Sequence, residues 1–174
     1  MRKVIYCIAA SLDGCIAQDD GAVDWLPVPT AKQGHGHAAF LRRVDTLVVG
    51  RKAYEQLLGF GAWPHAGREC IVLSRRWAGE RDAQARFFGG NIAALLRRLK
   101  RRPGRDIWLM GGGESAHACL EAGLVDEIIL TVIPVLLGGG RPLFLRSTRS
   151  RRLRLRRCRA FADDLVQLHY VVTA

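Results

Sequence analysis

An α/β fold built on a mixed, mostly parallel sheet is what this sequence predicts, and three observations carry the expectation. Apolar runs without polar alternation, such as Ile107 to Met110, read as strands buried on both faces, the habit of parallel sheets covered by helices. Such runs alternate along the chain with helical segments, which suggests helices layered on a central sheet. The last two strand-like segments follow one another with no helix between them, so the C-terminal strands are expected to run antiparallel. At 174 residues the chain fits a single domain spanning 1–174.

Residues 3–10 open the sheet. The start MRKVIYCIAAS has the outline of a secretory leader, but its apolar run is short, Asp13 follows at once, and Val4, Ile5, Tyr6 and Ile8 favour a strand. A helix over 36–44, a strand over 46–49, a helix over 51–58, a strand over 70–74 and a short strand over 84–88 come next. Asn91 then caps an amphipathic helix whose Ile92, Leu95, Leu96 and Leu99 share one face, with Arg97, Arg98, Lys100, Arg101 and Arg102 outside. Pro103-Gly104 ends it. A strand over 106–110 and a helix over 113–122 precede strands near 125–134, 152–159 and 165–173.

Composition excludes several classes. Hydrophobic residues make up 49% and charged residues 25%, so disorder is not expected, and the longest apolar stretch is broken by Thr131 and Pro134 well short of a membrane span. The five cysteines are odd in number and form no CxxC pair, a pattern of reducing, cytoplasmic surroundings. His35 and His37 lack a third ligand at suitable spacing, so no metal is expected. The net charge of +11 owes much to Arg146–Arg159, which holds eight arginines and no acid. Nucleic-acid binding is one reading of that run. Against it, Arg152-Leu153-Arg154-Leu155-Arg156 alternates as a strand with leucines inward and arginines in water, and no aromatic residues interleave to stack bases.

Four segments carry candidate chemistry, each near the end of an expected strand, where open α/β sheets bind ligands. Gly111-Gly112-Gly113 leaves bare N–H groups at a helix start, suited to a pyrophosphate. Gly50 with Arg51 and Lys52 joins a buried strand to a helix through a glycine and two cations. Ser74-Arg75-Arg76 closes a strand with a hydroxyl and two arginines, a pattern that can hold a 2′-phosphate and so favours NADPH over NADH. Ser11 to Ala17, followed by the Gly21 turn and Asp24-Trp25-Leu26-Pro27, forms a loop able to cover a substrate.

Taken together and in order, SLDGCIA, VVGRKAYE, IVLSR, GGGE and LTVIPVLLGGGRPLF resemble the dihydrofolate reductase superfamily, in particular stand-alone members similar to the RibD C-terminal reductase domain of riboflavin biosynthesis. The resemblance covers residues 3–172. It implies a three-layer dihydrofolate reductase-like fold, NADPH across the strand C-termini, and hydride delivery to a C=N or C=O of a pteridine, pyrimidine or similar ring. It also implies that Gly50, Arg51, Lys52 and Ala53 hold cofactor phosphates, Ser74 and Arg75 the 2′-phosphate, and Gly111, Gly112, Gly113, Glu114 and Ser115 the pyrophosphate. Ala10, Ile16 and Ala17 would border the nicotinamide. A cis Gly111-Gly112 bond and a homodimer built on the C-terminal strands, beside the 137–142 loop, are implied too. Substrate contacts are expected from Ser11, Asp13, Trp25 and Phe40, and catalytic roles from Asp13, Trp25 and His37. The acid that folate reductases place four residues before an aromatic is missing, because Gly36 stands four before Phe40. The zinc deaminase motifs of bifunctional riboflavin enzymes are missing as well. A basic nucleic-acid-binding module on the same fold is the rival reading.

Overall fold

The computed structural model describes residues 1–27, 35–59, 61–147 and 149–173. Ten strands and four helices are arranged among them. Strands β1 (Val4–Ser11), β3 (Val44–Gly50), β4 (Glu69–Leu73), β5 (Arg86–Phe88), β6 (Asp106–Met110), β7 (Glu127–Ile133), β9 (Leu153–Ala160) and β10 (Val166–Val172) form one sheet, in the order β5-β4-β3-β6-β1-β7-β10-β9. The pairings from β5 to β7 are all parallel, and those of β10 with β7 and β9 are antiparallel. The mixed, mostly parallel sheet with antiparallel C-terminal strands is therefore present. The six parallel strands bring their C-terminal ends, Ser11, Gly50, Leu73, Phe88, Met110 and Ile133, to one edge.

Strand alternation divides the interior in two. Val4, Tyr6 and Ala10 of β1 face one side, with Ile107 and Leu109, under Leu95, Leu96 and Leu99 of α3 (Ile92–Arg101) and Ala116 and Cys119 of α4 (Gly113–Glu121). Ile5 faces the other side with Leu47, Val49, Val72, Trp108 and Met110, under Phe40 of α1 (His37–Arg43) and Tyr54 of α2 (Arg51–Gly59). Helices on both faces make the three layers of a dihydrofolate reductase-like fold. Local chemistry agrees with the expected α3: the Asn91 side chain accepts from Ala94 N at 3.0 Å, and basic residues fill the last turn. Among the described residues no helix is long and apolar enough to cross a membrane.

Two features depart from expectation. A ribbon of β2 (Cys15–Ala17) and β8 (Arg141–Pro142) was not foreseen, and it ties the loop after β1 to the second glycine loop. Gly140 makes that approach possible at φ 127, since a Cβ there would lie 2.3 Å from the Ala17 carbonyl oxygen. The second departure is a correction: the alternating leucines of β9 do not point into a core. Leu153 and Leu155 are 43% and 52% exposed, because β9 is the outermost strand and among the described residues no element covers its apolar side.

Candidate active site

The cradle forms where β3 and β6 end side by side, Val49 opposite Met110. Gly111 has φ 130, and a Cβ on it would sit 2.9 Å from the Gly50 backbone nitrogen and 3.9 Å from Ala53 Cβ. The two strand ends come this close because residue 111 is glycine. The expected cis Gly111-Gly112 bond is not found, as the described residues contain no cis peptide; the positive φ of Gly111 turns the chain instead. Gly112 starts α4 with no side-chain cap, and nothing lies within 4 Å of the position its Cβ would take. The uncapped start of α4 is open at Gly112, while Gly113 is buried against Pro142 and Leu145; uncapped first-turn N–H groups are what a phosphate can use. Ser115 lies across the cradle, its Oγ 3.8 Å from a Cβ built on Gly50, and Glu114 is exposed in the first turn of α4.

A basic ledge adjoins it. Arg51 pairs with Glu55 at 2.6 Å and lies over the Trp77 ring at 5.7 Å. The Trp77 backbone N–H in turn donates to Ser74 Oγ at 3.3 Å. Ser74 is buried, so its hydroxyl shapes this turn, while Arg75, Arg76 and Lys52 are exposed. The structure brings Arg51, Ser74 and Arg75 into one neighbourhood from two different strand ends.

On the first loop, Ala10, Ser11 and Ala17 are buried and Ile16 is half-buried. Ser11 Oγ accepts from Cys15 N at 2.9 Å and donates to Asp13 Oδ1. Asp13 Oδ2 accepts the N–H groups of Leu137 at 3.0 Å and Gly138 at 2.8 Å. The Ser11 hydroxyl, then the Gly138 and Leu137 amides, hold the Asp13 carboxyl below the usual carboxylate range. Asp13 is accordingly an ionised acceptor that fastens the loop after β1 to the second glycine loop, a state opposite to that of a proton donor. Trp25 is half-buried, and its Nε1 is shielded without a partner among the described residues.

A packed cluster of rings lies on the α1 and α2 side of the sheet. Trp108, whose Nε1 donates to Cys7 O at 3.0 Å, forms its floor. Phe40, His65 and His37 meet it edge-on with ring centroids at 5.1, 5.2 and 5.7 Å, and Trp63 meets His65 at 5.4 Å. His37 is exposed at the lip; partial burial, then the Arg68 guanidinium, lowers its pKa. Gly36 starts α1 in the left-handed region at φ 77 and brings no carboxylate. The aromatic wall had no sequence signal: Trp63 and His65 sit in a connecting segment, and Trp108 lies in an apolar strand where only the fold reveals its side.

Comparison with known proteins follows the same lines. The family model for the RibD C-terminal domain matches residues 2–167. The chain is 37% identical over 171 residues to YwjB of Bacillus subtilis (strain 168), an uncharacterized protein, covering 98% of each. It superimposes on the crystal structure of a putative riboflavin biosynthesis protein from Shewanella sp. PV-4 with a TM-score of 0.87, at 30% identity and with both chains fully covered. It shares its fold with a pyrimidine reductase-like protein from Corynebacterium diphtheriae, at a TM-score of 0.75 and 16% identity over 99% of this chain and 92% of the other. The ordered glycine motifs, the sheet topology and the family match agree, and the chain belongs to the RibD C-terminal domain family.

Proposed function

We propose that this protein is an NADPH-dependent oxidoreductase that reduces a C=N or C=O bond of a small heterocycle of pyrimidine or pteridine type, in the manner of the 5-amino-6-(5-phosphoribosylamino)uracil reductases. The observation that carries the reading is the glycine-built cradle at the touching ends of β3 and β6, with a basic ledge beside it. A Cβ at Gly111 would crowd the Gly50 backbone nitrogen and part the two strand ends, and the bare start of α4 suits a pyrophosphate. Gly50, Arg51, Lys52, Ala53 and Gly111 to Ser115 would hold the phosphates, Ser74 and Arg75 would meet the 2′-phosphate, and Ala10, Ile16 and Ala17 would border the nicotinamide. Bound there, NADPH supplies a hydride. The chain's own residues then have to seat the ring and deliver a proton. Phe40 and Trp25 offer apolar contact, and His37 at the lip offers an N–H; Ser11 and Asp13 act by holding the covering loop.

The empty place of the folate-reductase acid has a consequence. With no carboxylate on α1 to bind and protonate a pterin, dihydrofolate should give negligible NADPH oxidation at neutral pH, at least a hundredfold below a good pyrimidine substrate on the ~10²–10⁴-fold usually contributed by general acid catalysis. Spectrophotometric assay with both substrates checks this. Robust dihydrofolate turnover that survives replacement of His37 would show that the proton comes from elsewhere.

The same reading includes a homodimer in a reducing, cytoplasmic setting, supported by five free cysteines and by the β7-β10-β9 end of the sheet. There the rows Ile128-Tyr170-Leu155 and Leu130-Leu168-Cys158 run across three strands on one face, growing more exposed towards β9. A second copy laid on this face would cover Leu153 and Leu155 and leave the β9 arginines in water, with no nucleic acid or membrane as partner. Light scattering at micromolar concentration should give a dimer mass, and Leu155→Glu should shift it to monomer; a wild-type monomer would refute the arrangement.

A further inference from the structure

Arg141 on β8 is a cation that the fold holds in place while leaving its donors unused. Its guanidinium lies broadside on the Gly21 turn: a Cβ built on Gly21 would sit 3.1 Å from Nη2, 3.3 Å from Cζ and 3.5 Å from Nη1. Such similar distances to three atoms of one plane mean that the face of the group rests on the turn and its N–H edge points away. Gly21 has φ 95, so both the turn and the close seat depend on glycine. Arg141 is half-buried, and among the described residues its side chain makes no hydrogen bond and no ion pair. The acids of the neighbouring loop are occupied or turned elsewhere. Asp20 Oδ1 accepts the Ala22 N–H at 2.8 Å, Asp24 Oδ1 accepts from Gln18 Nε2 at 2.8 Å, and Asp13 holds the Leu137 and Gly138 amides. Asp19 Oδ2 lies towards Gly139, 3.8 Å from the place of its Cβ.

The two contacts of this side chain bracket the cradle. Arg141 stands opposite Ala17, and the next residue, Pro142, adjoins α4, its carbonyl oxygen 3.0 Å from where a Cβ on Gly113 would be. The Gly21 turn that seats the guanidinium reaches α2 instead, where Gln56 Nε2 donates to Gly21 O at 2.9 Å. Since α2 and α4 leave the two strand ends of the cradle, the side chain extends from the α4 side towards the α2 side. The arginine already at the cradle is paired, Arg51 with Glu55 at 2.6 Å. We propose that Arg141 is a binding residue for the cofactor pyrophosphate, its plane stacked on Gly21 and its N–H edge offered to the phosphate oxygens that meet the start of α4. This rests on the reductase reading of the same site. A guanidinium suits the task because its fork of donors matches two oxygens at once, and a fork seated before the ligand arrives loses less freedom on binding.

The test titrates NADPH and NADH calorimetrically into wild-type protein, Arg141→Met and Arg141→Lys at neutral pH, at low and at high salt, with thermal unfolding of the free proteins as the control. Arg141→Met keeps the apolar stem and removes the charge. It should unfold at the wild-type temperature and lose roughly tenfold or more in affinity for both cofactors, as removal of a charge-assisted contact predicts. The preference for NADPH should stay as in wild type, because the pyrophosphate is common to the two. The loss should shrink as salt rises, which a packing defect would not do. Arg141→Lys, with the charge but not the fork, should fall between the other two. Wild-type affinity in Arg141→Met, a loss confined to NADPH, or a loss indifferent to salt overturns this inference alone. If Arg141→Met does not fold, the Lys variant decides: a weakening shared by both cofactors supports the assignment, and unchanged affinity overturns it. Wild type that binds neither cofactor overturns the reductase reading with it.

Discussion

Replacing Glu127 by Gln is expected to destabilise the fold by about 3–5 kcal/mol, the usual cost of leaving buried charges without their partner. Glu127 stands at the start of β7 with its side chain 1% exposed, and it receives Lys3 Nζ at 2.6 Å, Arg43 Nη2 at 2.8 Å and His169 Nε2 at 2.9 Å. These residues come from β10, from α1 and from the chain just before β1, so one carboxylate ties three parts of the molecule at the sheet edge opposite the cradle. Burial by itself would raise its pKa; the Lys3, Arg43 and His169 hydrogen bonds together override that and hold it at about 2 against an ordinary 4.5. A folded-state pKa below the unfolded one stabilises the protein above pH 4.5, and the contribution is lost as pH falls through about 2. The difference amounts to about 3 kcal/mol at ~1.36 kcal/mol per unit. Urea denaturation at several pH values should show wild-type stability falling over that acid range and the Gln variant, lower throughout, falling less. Equal stabilities at pH 7 would remove Glu127 from this role.

A single methyl at Gly111 should abolish cofactor binding. In Gly111→Ala the new Cβ would lie 2.9 Å from the Gly50 nitrogen, a backbone atom that cannot move without parting β3 from β6. The φ of 130 adds strain of roughly 1–3 kcal/mol for a residue other than glycine. Splaying these strand ends displaces the start of α4, so we expect at least a hundredfold loss of NADPH affinity, a loss of ~2.7 kcal/mol or more at 1.36 kcal/mol per tenfold. Circular dichroism would check that the sheet survives, since Gly111 lies beyond the last residue of β6.

Much of the fold was legible because strand and helix periods differ and because glycine, proline and asparagine punctuate them. The Asn91 cap and the Leu95, Leu96 and Leu99 face of α3 follow from local chemistry alone. The glycine run was legible as the turn from an apolar strand into a helix, which is where Gly111 and Gly112 stand between β6 and α4. Other features depend on tertiary placement. The β2–β8 ribbon joins segments of three and two residues, too short for any periodicity, with Pro142 in one of them. Whether Leu153 and Leu155 are covered depends on what lies beyond the edge of the sheet, which strand alternation does not encode. Asp13 could be read as an acid from its place in a loop, but its hydrogen bonds run to amides more than a hundred residues away. The His65 and Trp108 wall likewise exists only once the segment after α2 lies against β6.

The central claim is that the cradle and the ledge beside it hold a phosphorylated nicotinamide cofactor. Titration calorimetry of the wild-type protein with NADPH and with NADH at matched ionic strength tests it most directly. One charge-assisted pair at the 2′-phosphate, from Arg51 or Arg75, is typically worth about 1.5–3 kcal/mol, so NADPH should bind roughly ten to a hundredfold more tightly than NADH, with Arg75→Ala narrowing the gap. Equal affinity for the two cofactors, or binding of neither, would contradict the account.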